Sequence, residues 1–312
     1  MRTKEMSFDE WTDQLTEFRA KKILKHNDDQ VYLVCGDEGT QKSTFSMASA
    51  CEVYRKSGLK MREHNICFER RQWEDANLEL GIKKLLDGPP HIVEGIVKEF
   101  GLDRAELQAV YDRCRFSEGD ILVDDEGGTE AYARESMTGK NVEYIKTMIR
   151  NRFLNMMHFC NVPKPESMDP YIRRHRAKML VWCDAVYTDD LEQRIRKIYI
   201  YPKQNYIRIL YTYNWWTAFS STSNLVKKFP PPFVINNLPD LRQFIPKDIH
   251  EYYHVKKAGY FVKNLLTARK DKEKNGIRPD SMGKVPLPGE SKRDWMSRTK
   301  LSPASWKLYR GG

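Results

Sequence analysis

Residues 31–44 read VYLVCGDEGTQKST: an apolar run, a glycine-bearing loop, and a lysine and hydroxyl residues opening a helical pattern. A nucleoside triphosphate asks for this succession. Its phosphates need convergent backbone N–H groups at a helix N-terminus, a lysine on the β and γ oxygens, and a hydroxyl directed at Mg²⁺. Gly36, Gly39, Lys42 and Ser43 fall at the P-loop spacing for those roles, and Asp37, Glu38, Thr40, Gln41 and Thr44 complete the nucleotide-binding stretch. One position departs from the pattern. The residue before the lysine is usually glycine, and here the Gln41 side chain must be accommodated where the backbone turns closely around phosphate.

A second stretch, GDILVDDEGG at residues 119–128, is an apolar strand closed by consecutive acids. An Asp at a strand end can hold the shell of a divalent ion, and an adjacent Glu can polarise the water that attacks the γ-phosphate. The assignment is Asp125 to the metal, with Ser43, and Glu126 to water activation; with three acids in a row, the register using Asp124 and Asp125 also fits. Asn161 ends the run NMMHFCNVP, where it can sense the γ-phosphate or cap the turn before Pro163. Arginines follow both runs. Arg134 and Arg176 are the preferred candidates, among Arg150, Arg152, Arg173 and Arg174, for a cation donated to a neighbouring subunit's phosphates.

The remaining pattern frames these motifs. Apolar runs at 31–35, 65–68, 121–125, 155–161 and 178–185 alternate with helical patterns at 43–56, 73–86, 142–152 and 167–175. That alternation predicts a mainly parallel sheet with crossover helices, a three-layer α/β fold. Residues 7–25 predict a helix opened by a Ser7/Glu10 capping box. Residues 87–120 predict a helical insertion split at Gly101; its second helix is acidic where a DNA reader would carry basic and amide groups. RKIYIYPKQNYIRILYTY, residues 196–213, predicts a β-hairpin around PKQN, and residues 247–266 a last helix. The expected organisation is a nucleotide-binding core over 1–190, a hairpin-plus-helix extension over 191–266, and a flexible basic tail over 267–312.

Composition narrows the function classes. The chain has 312 residues, 40% hydrophobic and 31% charged, with a formal net charge of +10. Residues 256–312 hold 15 Lys and Arg against 5 Asp and Glu, so the whole surplus lies at that end. The six cysteines show no CxxC pair or metal-ligand spacing, which excludes a disulfide scaffold and a zinc ribbon. No apolar run approaches the roughly 18–20 residues of a membrane span, and residues 1–10 lack a signal-peptide core. The expectation is a cytoplasmic protein, in the host cytoplasm if viral.

With GDEGTQKS, ILVDDEGG and residues 133–182 in view, the chain resembles the additional-strand, catalytic-glutamate P-loop ATPases of viruses and mobile elements, over about 31–185. Within them it is similar to zonular-occludens-toxin-like proteins, FtsK/HerA-type DNA pumps and genome-packaging ATPases. The resemblance implies a RecA-like core, ATP and Mg²⁺ as ligands, and a homo-oligomeric, commonly hexameric ring that moves DNA. It also implies Lys42 and Ser43 on phosphate and magnesium, Asp125 on magnesium, Glu126 as base and Asn161 as sensor. The chain lacks the membrane segment of the zonular-occludens group and a terminase-like carboxylate cluster after residue 185. The basic tail, in which Trp295, Trp306 and Tyr309 interleave with Lys and Arg, suits sequence-independent DNA binding or a protein partner. Two other functions compete: a nucleotide-gated assembly or morphogenesis protein with slow or no hydrolysis, and a small-molecule kinase.

Overall fold

A computed structural model describes residues 3–26, 28–37, 39–125, 154–187, 193–236 and 238–274. Glu38, Glu126, Arg134, Arg150, Arg152, the crossover expected at 142–152 and residues 275–312 lie outside the described residues.

The strands, in chain order, are β1 (Lys4–Met6), β2 (Gln30–Cys35), β3 (Ile66–Cys67), β4 (Ile121–Asp124), β5 (Met157–Asn161), β6 (Ala177–Tyr187), β7 (Gln193–Pro202) and β8 (Phe233–Asn236). The helices are α1 (Phe8–Phe18), α2 (Lys42–Lys56), α3 (Arg70–Leu86), α4 (Pro90–Glu99), α5 (Arg104–Asp112), α6 (Lys203–Leu210), α7 (Thr222–Lys228) and α8 (Lys247–Lys274). Among the described residues the strands form one sheet in the order β3-β4-β5-β2-β6-β7-β8-β1. From β3 to β6 every pairing is parallel, and β7 runs antiparallel to both of its neighbours. β5 is inserted between β2, which leads into the glycine loop, and β4, which ends in the acids.

The pleat of β2 divides the core into its layers, because successive side chains point to opposite faces. Tyr32 meets Trp11 of α1 and Phe159 of β5, with ring centroids 6.5 and 5.3 Å away. Val31, Leu33 and Cys35 join Trp73 of α3, Tyr206 and Ile209 of α6 and Leu225 of α7 in a buried cluster on the other face. α2 lies against the sheet and is covered by α1, so it is buried over Phe45 to Tyr54, including Ser46, Ser49 and Glu52. Trp11 holds that packing: it stacks on Phe45 at 6.0 Å and donates from Nε1 to Ser49 Oγ at 3.1 Å. Truncating it to Ala costs about 3–5 kcal/mol. The capping box forms as expected, with Glu10 N donating to Ser7 Oγ at 3.1 Å and Ser7 N to Glu10 Oε2 at 2.6 Å.

Residues 87–120 form the expected helical insertion. Gly101 turns the chain between α4 and α5 at φ 62°, and Asp103 caps α5 by accepting from Ala105 N at 2.8 Å. Elsewhere the local expectations are corrected. PKQN begins α6 instead of a hairpin turn, because Pro202 precedes the helix and Tyr206, Ile209 and Leu210 share one buried face at i, i+3 and i+4. The hairpin is β6 with β7, pairing Trp182 with Tyr199 and Val181 with Ile200. β8 and β1 extend the same sheet, so residues 193–236 continue the core layer. In place of the crossover helix expected over 167–175, the chain forms a 3₁₀ turn at Pro165–Ser167 and a π-helical turn at Ile172–Arg176. α8 runs on to Lys274, so residues 267–274 are helical.

The chain divides into two compact units, Met1–His254 and Val255–Gly312. The described part of the second is the distal portion of α8, on which Val255, Phe261, Val262 and Leu266 are exposed. Among the described residues no helix is long and apolar enough to cross a membrane.

Candidate nucleotide-binding site

Parallel strands deliver their C-terminal ends to one rim, and β2, β4 and β5 bring three motifs there together. Gly36 begins the loop after β2, its N–H donating to Pro163 O just beyond β5 at 3.1 Å. It has φ 150°, and an added Cβ would stand 2.5 Å from Cys183 O and 2.7 Å from Thr40 Oγ1, so no other residue fits. Thr40 is buried and ties the loop to itself, its Oγ1 donating to Asp37 O at 2.8 Å. Gln41 takes φ 56° and ψ 32°, the left-handed region, immediately before α2 starts at Lys42. The backbone thus adopts the glycine-type conformation that the P-loop spacing requires, with a glutamine in it.

Lys42 folds back over the loop. Its Nζ donates to Gly36 O at 2.9 Å and Asp37 O at 2.8 Å. Cys35 and Cys183 flank the loop, and burial raises both thiols, Cys183 to about 12, against the opposing field of Lys42. Neither supplies a thiolate nucleophile near neutrality.

The metal-side candidates are in contact. Ser43 Oγ donates to Asp125 Oδ1, and Asn161 Nδ2 donates to the same oxygen at 3.3 Å. Asn161 is fixed in turn by Ser46, whose Oγ donates to Asn161 Oδ1 at 2.6 Å. Asp125 is anchored through its backbone, with N–H donating to Cys67 O at 2.8 Å. Strand alternation explains why Asp125, the first residue after β4, meets Ser43, whereas Asp124 pairs in the ladder with Cys160 and Cys67. Among the described residues no group of three or more His, Cys, Asp or Glu side chains gathers at one point. The Ser43 and Asp125 oxygens fit Mg²⁺, which keeps several waters and takes further oxygens from substrate phosphates.

A residue that sequence reading missed completes the cluster. Tyr253 of α8 is buried, and its OH donates to Asp125 Oδ2 at 2.7 Å. Its signal was the four-residue spacing of Ile249 and Tyr253, both buried, which marks the inward face of the helix start.

Arg176 does not join the site, which corrects its expected role. It forms an ion pair with Asp29, and both side chains are buried. Asp29 precedes β2 and Gly36 follows it, so the pair sits at the opposite rim, about 23 Å away at roughly 3.3 Å per residue. Closed in that way, Arg176 is not presented to a neighbour's phosphates. Arg173 is also buried, with its guanidinium 4.9 Å over the Trp215 ring and Nη1 donating to Met168 O at 3.0 Å.

No protein-family model matches the chain, and no curated protein does. Among solved structures, the KaiC-like protein PH0186 from the hyperthermophilic archaea Pyrococcus horikoshii OT3 aligns at 12% identity over 56% of this chain and 78% of that chain, with a TM-score of 0.27. A superposition that loose carries no inference about chemistry. The fold stands on the chain's own topology, a mainly parallel eight-stranded α/β sheet among the described residues, with β5 between the loop-bearing and acid-bearing strands.

Proposed function

We propose that the chain binds and hydrolyses a nucleoside triphosphate, ATP by resemblance, and uses the cycle as an oligomeric motor on DNA. The observation that carries the nucleotide reading is the contact of Ser43 with Asp125, 82 positions apart in sequence, at the start of a helix whose preceding loop has P-loop spacing. Lys42 exchanges the Gly36 and Asp37 carbonyls for β and γ oxygens, while the loop amides and the α2 N-terminus face the phosphates. Ser43 and Asp125 would hold Mg²⁺, which would supply charge neutralisation at the phosphate oxygens. Asn161 keeps the Asp125 carboxylate oriented. Glu126 is proposed as the group that orients and deprotonates the attacking water, and Arg134 as the cation supplied across subunits. The charge surplus of residues 256–312 supports polyanion binding through counterion release.

The test is ATP turnover across a salt series, with and without duplex and single-stranded DNA. Several-fold stimulation by DNA at low salt, abolished by Lys42→Ala, is the expected result. No turnover with any DNA would end the motor reading. The left-handed Gln41 favours a second reading, a nucleotide-gated assembly protein with slow turnover. Tight ATP binding with background hydrolysis, unchanged by Glu126→Gln, would select it.

A further inference from the structure

Three donors from three elements converge on one carboxylate: Ser43 from α2, Asn161 from β5 and Tyr253 from α8. The first two belong to motifs with assigned roles. Tyr253 does not, and it lies on a helix remote in sequence from both.

We propose that Tyr253 is a positioning residue for Asp125, so that docking of the first turns of α8 and occupancy of the metal side of the site favour one another. The proposal rests on the nucleotide reading above. A carboxylate must present its oxygens in a fixed direction to serve a hydrated divalent ion, and each protein donor removes some of its rotational freedom. The Tyr253 hydroxyl acts on Oδ2, the oxygen opposite the one that Ser43 and Asn161 hold, and so resists rotation about the carboxylate axis.

The helix start is arranged to keep that hydroxyl in place. Ile245 and Ile249 are buried, and the Tyr253 ring packs 5.5 Å from Phe68, which follows β3. Lys60 and Asp248 pair at 3.1 Å, but both are exposed and the pair adds little. The ring contacts survive in Tyr253→Phe, and the hydrogen bond to Asp125 does not.

Coupling of this kind is reciprocal. Whatever the docked α8 contributes to the affinity for the metal-bound nucleotide, the metal-bound nucleotide returns to docking of α8.

The experiment uses the full chain and a non-hydrolysable ATP analogue, with binding measured in EDTA and across a Mg²⁺ titration. For Tyr253→Phe the affinity in EDTA is expected to be unchanged, while the Mg²⁺-dependent gain falls about 10-fold, the lower end of what losing an outer-shell partner costs. A second measurement needs no substitution. Amide exchange over residues 247–254 of the natural sequence is expected to slow when Mg²⁺ joins the analogue, and not with the analogue in EDTA. An unaltered Mg²⁺ response in Tyr253→Phe, or exchange over 247–254 indifferent to Mg²⁺, overturns the proposal and leaves the nucleotide reading intact. If the natural sequence binds no analogue under either condition, both fall together.

Discussion

Gln41 offers a direct test of the loop conformation, because one dihedral angle ranks three side chains. At φ 56° and ψ 32° an L-residue carries a cost of about 1–2 kcal/mol from the approach of Cβ to the carbonyl, and glycine carries none. Gln41→Gly relieves that cost but gives the unfolded chain extra freedom, which takes back about 0.4–1 kcal/mol. The net expectation is a stabilisation of about 0.5 kcal/mol. Gln41→Val adds β-branching in a region where such residues are outliers, and is expected to lose about 1–2 kcal/mol relative to glutamine. Gly and Val should therefore differ by about 2 kcal/mol, with Gln between them. Urea unfolding resolves this as a shift in midpoint at unchanged slope. Three variants agreeing within about 0.5 kcal/mol, or valine as the most stable, would refute the left-handed assignment on which the P-loop geometry depends. The same variants address function: if the glutamine holds the loop back, Gln41→Gly raises ATP affinity or turnover.

Two other perturbations separate structural roles from functional ones. His158 is buried, its Nδ1 accepts from Trp73 Nε1 at 3.3 Å, and burial with the nearby Arg176 holds its pKa down to about 3. The unfolded chain takes up that proton near pH 6.5 while the native chain does not, so stability should fall as pH drops from about 6.5 toward 3, by up to about 1.4 kcal/mol per unit. Urea midpoints between pH 7 and 4.5 measure the slope, and His158→Gln should flatten it by about one proton; an unchanged slope would count against a neutral buried imidazole. Arg176→Leu removes the ion-pair partner of the buried Asp29 and is expected to cost about 3–5 kcal/mol, with much of the loss recovered by adding Asp29→Leu, while ATP binding by the folded double variant is retained. A fully stable Arg176→Leu that loses turnover would restore Arg176 to a catalytic role.

Particular residues show how far the sequence could be read. The Ser7 capping box and the turn at Gly101 depend on contacts within a few residues, and both appear as expected. The stretch from Tyr206 to Leu210 was misread because YIRIL satisfies strand alternation and also places Tyr206, Ile209 and Leu210 on one helical face. Only the core offered by Trp73, Leu225 and β2 selects the helical solution. Arg176 was misplaced for a related reason: its position beside a strand was legible, but the rim of the sheet and the Asp29 partner depend on strand direction and register.

By itself the sequence determined the glycine-loop-lysine-serine motif, the acid-ended strand and the alternation of strands with helices. Each is a local pattern whose spacing must match the pitch of one element or the shape of one phosphate chain. Only the tertiary structure decided that β5 lies between β2 and β4, that Asp125 faces Ser43, that Arg176 is spent on Asp29, and that Tyr253 reaches the same carboxylate from α8. Those pairings join residues from distant parts of the chain. Their energies come from burial and from satisfying polar groups away from water, which no local window of sequence contains.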